Sequence, residues 1–226
     1  MSKFVLIVGL FLSLNASASD IKKFSQAERA HFTISSVSIE EEKLSSDSLF
    51  YNTCQRITKR GLGEQFDWET IVNIGQQVWD IIVKNAPNVN VELQSASALP
   101  ADTKRWFDLD CWQWPQAKAY RVNYKNAFGI NVVDFTYKVI YTYGGQLDGR
   151  GQYLSQVMIV PTNLKVAWGF TFDAKARVDN VVNAGSRSAP VGAIQISMDW
   201  TIKTPIKYVQ ERETYYVRGD GQFQRL

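Results

Sequence analysis

The feature that most constrains this chain is a series of long segments in which apolar and polar residues alternate one for one. Between residues 130 and 143, Val133, Phe135, Tyr137, Val139, Tyr141 and Tyr143 share one parity, while Asp134, Thr136, Lys138 and Thr142 share the other. Residues 164 to 178 repeat the pattern, with Leu164, Val166, Trp168, Phe170, Phe172, Ala174, Ala176 and Val178 opposite Lys165, Thr171, Asp173, Lys175 and Arg177. Residues 191 to 203 do so again, and a last segment runs from Tyr208 to Arg218 before Gly219-Asp220-Gly221. Side chains along a strand point alternately to opposite faces, so each segment offers one face to a core and one to water, as antiparallel sheets do. The expected fold is mainly β, an antiparallel β-sandwich or closed sheet. The Gly-rich run GGQLDGRG, residues 144 to 151, reads as a hairpin connection.

One segment departs from that period. Trp68, Ile71, Val72, Gly75, Val78, Trp79 and Ile82 fall at helical spacing after Asp67, a good N-cap, and Asn85-Ala86-Pro87 closes the run. Proline removes a backbone donor and disfavours helix in the residue before it. The spacing predicts one amphipathic α-helix over about 67–85, its broad apolar face packed on the sheet. Transmembrane barrels also show alternation, but they use about eight strands or more, against the five or six convincing ones here.

The N-terminus reads as an export signal. Lys3 precedes the apolar run Phe4 to Leu14, and Ala16-Ser17-Ala18 places small residues at a cleavage site. Cleavage near Ala18 is expected, giving a secreted or periplasmic protein. The organisation expected is a signal peptide at 1–18, a weakly structured segment at 19–65 with one short strand near Phe32 and Ile34, and a β-rich domain at 66–226. In an oxidising compartment the two cysteines, Cys54 and Cys111, are most simply one disulfide.

Composition bears mainly on partners. The formal charge of +3 falls to +2 once Lys3 is removed, so no general attraction to nucleic acid is expected. A hydrophobic content of 45% suffices for a core and argues against a disordered chain.

Catalytic signals are few. His31 is the single histidine and sits near no nucleophile motif, so no triad and no multi-histidine zinc site is expected. No catalytic residue, metal or cofactor is assigned. Asp134, Asp173 and Asp199 occupy polar strand faces and would serve a hydrolase only if those faces met in a groove. Asp108, Asp110 and Asp220 lie in loops without the spacing of a calcium loop. The candidate binding site is the aromatic loop holding Trp106, Phe107, Trp112 and Trp114 beside Cys111. Indole faces suit sugar rings and membrane interfaces. The expected function is an exported, non-catalytic binder of a ligand, glycan or envelope partner. The alternatives are a membrane-interacting or pore-forming protein, and a hydrolase using strand carboxylates.

Overall fold

The computed structural model describes residues 23–43, 71–73, 77–80, 89–101, 103 and 105–226. They form one helix and a single sheet. The helix α1 (Gln26–Phe32) is started by a reciprocal cap: the Glu28 amide donates to Ser25 Oγ, and the Ser25 amide donates to Glu28 Oε2 at 2.7 Å. Thr33 Oγ1 closes it by donating to the Arg29 carbonyl at 2.7 Å.

The strands are β1 (Ile34–Glu42), β2 (Ile71–Asn73), β3 (Gln77–Asp80), β4 (Val89–Pro100), β5 (Gln116–Asn126), β6 (Asn131–Leu147), β7 (Arg150–Val166), β8 (Thr171–Asn183), β9 (Gly192–Lys203), β10 (Tyr208–Arg218) and β11 (Phe223–Arg225). Their order is β1-β5-β6-β7-β4-β8-β9-β10-β11, with β2 and β3 also pairing with β4. All neighbours are antiparallel except β4 and β8, which run parallel from Val89↔Phe172 to Glu92↔Lys175. The protein is therefore mainly β, but its strands belong to one mixed sheet curled into a half-barrel. β4 is the joint between the halves, antiparallel to β7 on one side and parallel to β8 on the other.

The curl lets one sheet face itself. Inward residues of β5 and β6 meet those of β8, β9 and β10: Phe135 lies 4.9 Å from Phe172, and Tyr120 lies 5.0 Å from Tyr215, ring centre to ring centre. Polar ends of these rings pair in the core. Tyr137 and Tyr215 hydroxyls are 2.7 Å apart, and Trp200 Nε1 donates to Tyr124 Oη at 2.8 Å. A buried N–H without a partner costs about 1–3 kcal/mol, so each pairing removes a penalty that the rings would otherwise carry inside. The outward parity carries ion pairs, among them Arg121–Asp134 at 2.7 Å, Lys175–Glu92 at 2.6 Å and Lys203–Asp173 at 2.9 Å. A charged outer face and an interior filled by aromatic rings are the reverse of a membrane-spanning barrel.

Two sequence expectations need correction. Of the expected helix over 67–85, the described residues are strands: β2 pairs with Ala98–Pro100, and β3 pairs with Glu92–Ser95. The rest of that range lies outside the described residues. The cause is non-local. β7 accompanies β4 only at Ser95–Ala98 and β8 only at Val89–Glu92, so other backbone groups of this long strand need partners. The β-branched residues of the two described strands, Ile71, Val72 and Val78, suit that ladder better than a helix. The second correction concerns residues 164–178, which are a hairpin rather than one strand. β7 ends at Val166, and Gly169, at φ +80°, turns the chain into β8. Glycine takes this left-handed backbone without strain, and Phe32 fills the space where a Cβ would stand.

One inward charge is misfit. Val209, Glu211, Glu213, Tyr215 and Val217 share the inward parity of β10; Glu213 is ion-paired with Arg225, whereas burial and the neighbouring Glu213 raise the pKa of half-buried Glu211. A carboxyl with a raised folded-state pKa binds its proton more tightly in the native state. Its stabilising contribution is complete below the unfolded value of 4.5 and is lost as pH rises through the folded value. Glu211→Gln is therefore expected to raise the thermal midpoint at about pH 7 and leave it little changed at about pH 4, as scanning calorimetry would show. Equal shifts at both values would remove the charge of Glu211 as the cause.

Candidate aromatic binding site

The site grows out of the connection between β4 and β5. Thr103 turns the chain by donating its amide to the Pro100 carbonyl at 3.0 Å, and a short 3-10 turn follows at Trp106–Asp108. Leu109 is the anchor: it is buried against Leu99 and Tyr153, with Trp112 and Leu147 packed on the same cluster. Beyond it the loop is zipped to β6 by backbone bonds. Asp110 and Gln146 exchange amide-to-carbonyl bonds of 2.9 and 2.8 Å, and the Gln113 amide donates to the Tyr143 carbonyl at 2.9 Å. Cys111, between these bonds, sits in the left-handed region at φ +67°.

Two glycines in β6 make this docking fit. Gly144 has φ +82°, and a Cβ there would stand 2.9 Å from Gln113 Cγ. At Gly145 a Cβ would stand 2.5 Å from the Trp112 ring, so the indole lies directly on the glycine backbone. The hairpin turn itself is confined to Asp148 and Gly149, both at positive φ between the paired Leu147 and Arg150. The Gly-rich run thus has two jobs: its second half turns the chain, and its first half seats the loop. The Trp112 indole Nε1 donates to the Trp106 carbonyl at 2.9 Å, which fixes one tryptophan by the other's backbone.

Trp106, Trp112 and Trp114 wall a pocket of about 560 Å³ together with Gln113 and Pro115; its floor is Thr142 of β6 with Ser155 and Gln156 of β7. Trp106 and Trp114 are 51% and 63% exposed, so their ring faces are open to a ligand. None of the lining side chains is ionisable. Phe107 does not join them: it is exposed outside the pocket, with the Arg105 guanidinium 4.3 Å above its ring. Arg105 is in turn held by Asp108 at 3.2 Å. Three of the four aromatic residues singled out from the sequence therefore line the pocket, and Phe107 backs it from outside, its ring edge-to-face with Trp106 at 5.8 Å between ring centres.

The floor contains a residue that the sequence does not announce. Gln156 has φ +53°, and β7 carries an extra residue there against both neighbours. On β6 the register passes from Ile140↔Met158 to Thr142↔Ser155, and on β4 from Ala96↔Val157 to Ala98↔Leu154. This is a β-bulge seen from both sides, a device that re-aims a side chain. A left-handed backbone costs a residue other than glycine about 1–2 kcal/mol. A glutamine kept in it, on a pocket floor, points to a use for its side chain.

The other candidates stay apart. Asp173 is paired with Lys203, Asp199 with Arg212 and Arg177, and Asp134 with Arg121, all on outward strand faces. The Arg121 hydrogen bonds hold the Asp134 carboxyl below its ordinary range despite partial burial. Asp173 and Asp199 are diagonal neighbours across β8 and β9, whereas Asp134 lies on β6 in the other half. No groove collects the three. Among the described residues no group of three or more His, Cys, Asp or Glu side chains is placed to hold a metal. Asp220 is a turn residue paired with Arg218 at 2.7 Å. Cys54, the expected partner of Cys111, lies outside the described residues.

No protein-family model, no curated protein and no solved structure matches this chain.

Because Trp112 rests on Gly145, Gly145→Ala is expected to displace the indole and open the pocket wall while leaving the sheet intact. The readout is tryptophan fluorescence and near-ultraviolet dichroism with unchanged far-ultraviolet dichroism. A variant with native tryptophan spectra would show that the contact with Gly145 does not position the ring.

Proposed function

We propose that this chain is an exported, non-catalytic binding protein whose tryptophan-walled pocket takes a neutral, ring-bearing ligand, with glycans as the favoured class. The observation that carries this reading is the lining: three indoles and a proline offer flat apolar faces, and Gln113, Thr142, Ser155 and Gln156 offer amide and hydroxyl groups beside them. Sugar rings present the same combination, apolar C–H faces edged by hydroxyls, and stack on aromatic rings. An anionic or cationic ligand would be stripped of water here with no opposite charge among the lining residues to replace it. A glycosidase would need a pair of carboxyl groups flanking the bond to be cut, and the lining supplies no carboxyl.

Titration calorimetry against neutral soluble oligosaccharides tests the assignment. Binding is expected for the wild type, and Trp106→Ala with Trp114→Ala should weaken it by about tenfold or more, because each ring gives up a stacking contact of about 1 kcal/mol. Both residues are exposed, so the thermal midpoint of the free protein should be unchanged. Undiminished affinity in the double variant would remove the pocket from contention. No oligosaccharide hydrolysis products are expected in any assay; steady product formation would restore the hydrolase reading.

Export is part of the same proposal, supported by the apolar run Phe4 to Leu14 before Ala16-Ser17-Ala18. An oxidised Cys54–Cys111 bridge would tie the segment before β2 to the tryptophan loop. Chain-entropy arguments assign such a long loop a stabilisation of about 4 kcal/mol. Exported protein, denatured without reductant, is expected to show no reactive thiol. Two thiols per chain under those conditions would dispose of the bridge.

A further inference from the structure

The end of the sheet remote from the tryptophan pocket carries a second exposed apolar patch. The β5–β6 turn presents Phe128 and Ile130, which are 56% and 57% exposed, and the β7–β8 turn presents Trp168, which is 82% exposed. These are hairpin tips and not fraying ends. Buried Asn126 accepts the amides of Phe128 and Ile130 on its Oδ1, each at 3.1 Å, which locks the turn. His31 of α1 ties the two tips together, with Nε2 at 3.3 Å from the Trp168 carbonyl and Nδ1 at 3.5 Å from Asn126 Nδ2. A Cβ on Gly129 would meet nothing within 4 Å, so the first tip projects freely. Large side chains held outward on rigid tips are an expense that folding alone does not explain.

The surrounding charge identifies the surface they meet. Arg29, Lys125, Lys165, Lys203 and Lys207 lie on α1 or next to these tips and the neighbouring β9–β10 turn, against Glu28 and Asp173; the Arg121–Asp134 pair is neutral in itself. Aromatic and aliphatic tips ringed by cations match the bilayer interface, where apolar groups enter between headgroups and basic side chains meet anionic lipid. The exposed side chains are divided between two neighbouring turns, Phe128 and Ile130 on one and Trp168 on the other.

We propose that this end of the sheet docks on anionic lipid bilayers, with Phe128, Ile130 and Trp168 inserted at the interface and Lys125 and Lys165 on headgroup phosphates. The contact is peripheral, and it does not depend on what the tryptophan pocket binds.

Sedimentation with phosphatidylcholine vesicles, with and without phosphatidylglycerol, tests this on the protein recovered after export. The expected result is binding to the anionic vesicles that falls with added salt, together with a loss of about tenfold or more in partition for Phe128→Ser/Ile130→Ser/Trp168→Ser. Trp168→Ser alone, at the most exposed position, should give a partial loss without risk to folding. Lys125→Glu with Lys165→Glu should weaken binding and flatten its salt dependence. Wild-type protein that stays in the supernatant with anionic vesicles would overturn the proposal. So would tip variants that sediment like wild type. If the tip substitutions instead abolish self-association seen by analytical ultracentrifugation, the patch faces a second copy and the bilayer assignment is wrong. If Trp106→Ala/Trp114→Ala loses vesicle binding while the tip variant keeps it, the contact belongs to the pocket end and the proposal fails.

Discussion

Everything in this protein depends on the aromatic seam inside the curl. A sheet that bends back on itself must fill the space between its halves, and here large rings do so: Tyr120, Tyr124, Phe135, Tyr137, Phe172, Trp200 and Tyr215 are all nearly inaccessible to water. Apolar area alone would accept many arrangements of these rings. The two polar pairings, Tyr137 with Tyr215 and Trp200 with Tyr124, accept few, because each links strands from opposite halves at hydrogen-bond distance. Burial drives both tyrosines of the first pair far from ionisation, so the link persists as a neutral hydrogen bond at any physiological pH. Buried polar groups of this kind specify one packing at the risk of a large penalty if either partner is lost.

Once the curl is fixed, the tryptophan-walled pocket follows from where the chain has to cross it. The loop between β4 and β5 must pass over the end of β6, and the fit there is set by backbone, with Trp112 on Gly145 and Gln113 on Gly144. The same region holds the Gln156 bulge, which shifts β7 by one residue against both neighbours. Rigid strands thus supply the floor and a fastened loop supplies the walls. A pocket built this way would not have to order itself before taking a ligand, which preserves affinity that a mobile loop would spend.

The strands were legible in the sequence to the extent that their burial is one-sided. The bounds of Tyr208–Arg218 can be read from the sequence, because Gly219-Asp220-Gly221 ends the strand chemically as well as by pattern. The stretch 164–178 shows no division in its pattern, since a tight hairpin at Trp168-Gly169 keeps the alternation of Leu164, Val166, Phe170 and Phe172 in phase. Ile71–Asn73 and Gln77–Asp80 carry two signals, helical spacing with their neighbours in sequence and β-branched content of their own; the demand of β4 for backbone partners separates them, and that demand is invisible locally. The Ser25–Glu28 capping box is present in the sequence, but the apolar pattern around it is too weak to mark a seven-residue helix. At the site, clustered tryptophans were informative because loop residues close in sequence stay close in space. Thr142, Ser155 and Gln156 arrive through strand pairing, and a glutamine gives no warning of a left-handed backbone as a glycine would.

The two surface features are separated by the length of β6. Asn131 begins the strand beside the Phe128–Ile130 tip, and Thr142 lies on the pocket floor. At about 3.4 Å per residue the separation is roughly 35–40 Å along the strand. A bilayer touching the tips would therefore leave the pocket at the far end of the strand, beyond the headgroups and several Debye lengths from their charge at physiological ionic strength. That distance matters for the chemistry of the site. A pocket lined by neutral groups gains nothing from an anionic surface, and a neutral glycan ligand suffers nothing from its potential. The division of charge along the sheet, cations at the tip end and an uncharged lining at the pocket end, is what a protein would need to hold a membrane with one end and a neutral ligand with the other.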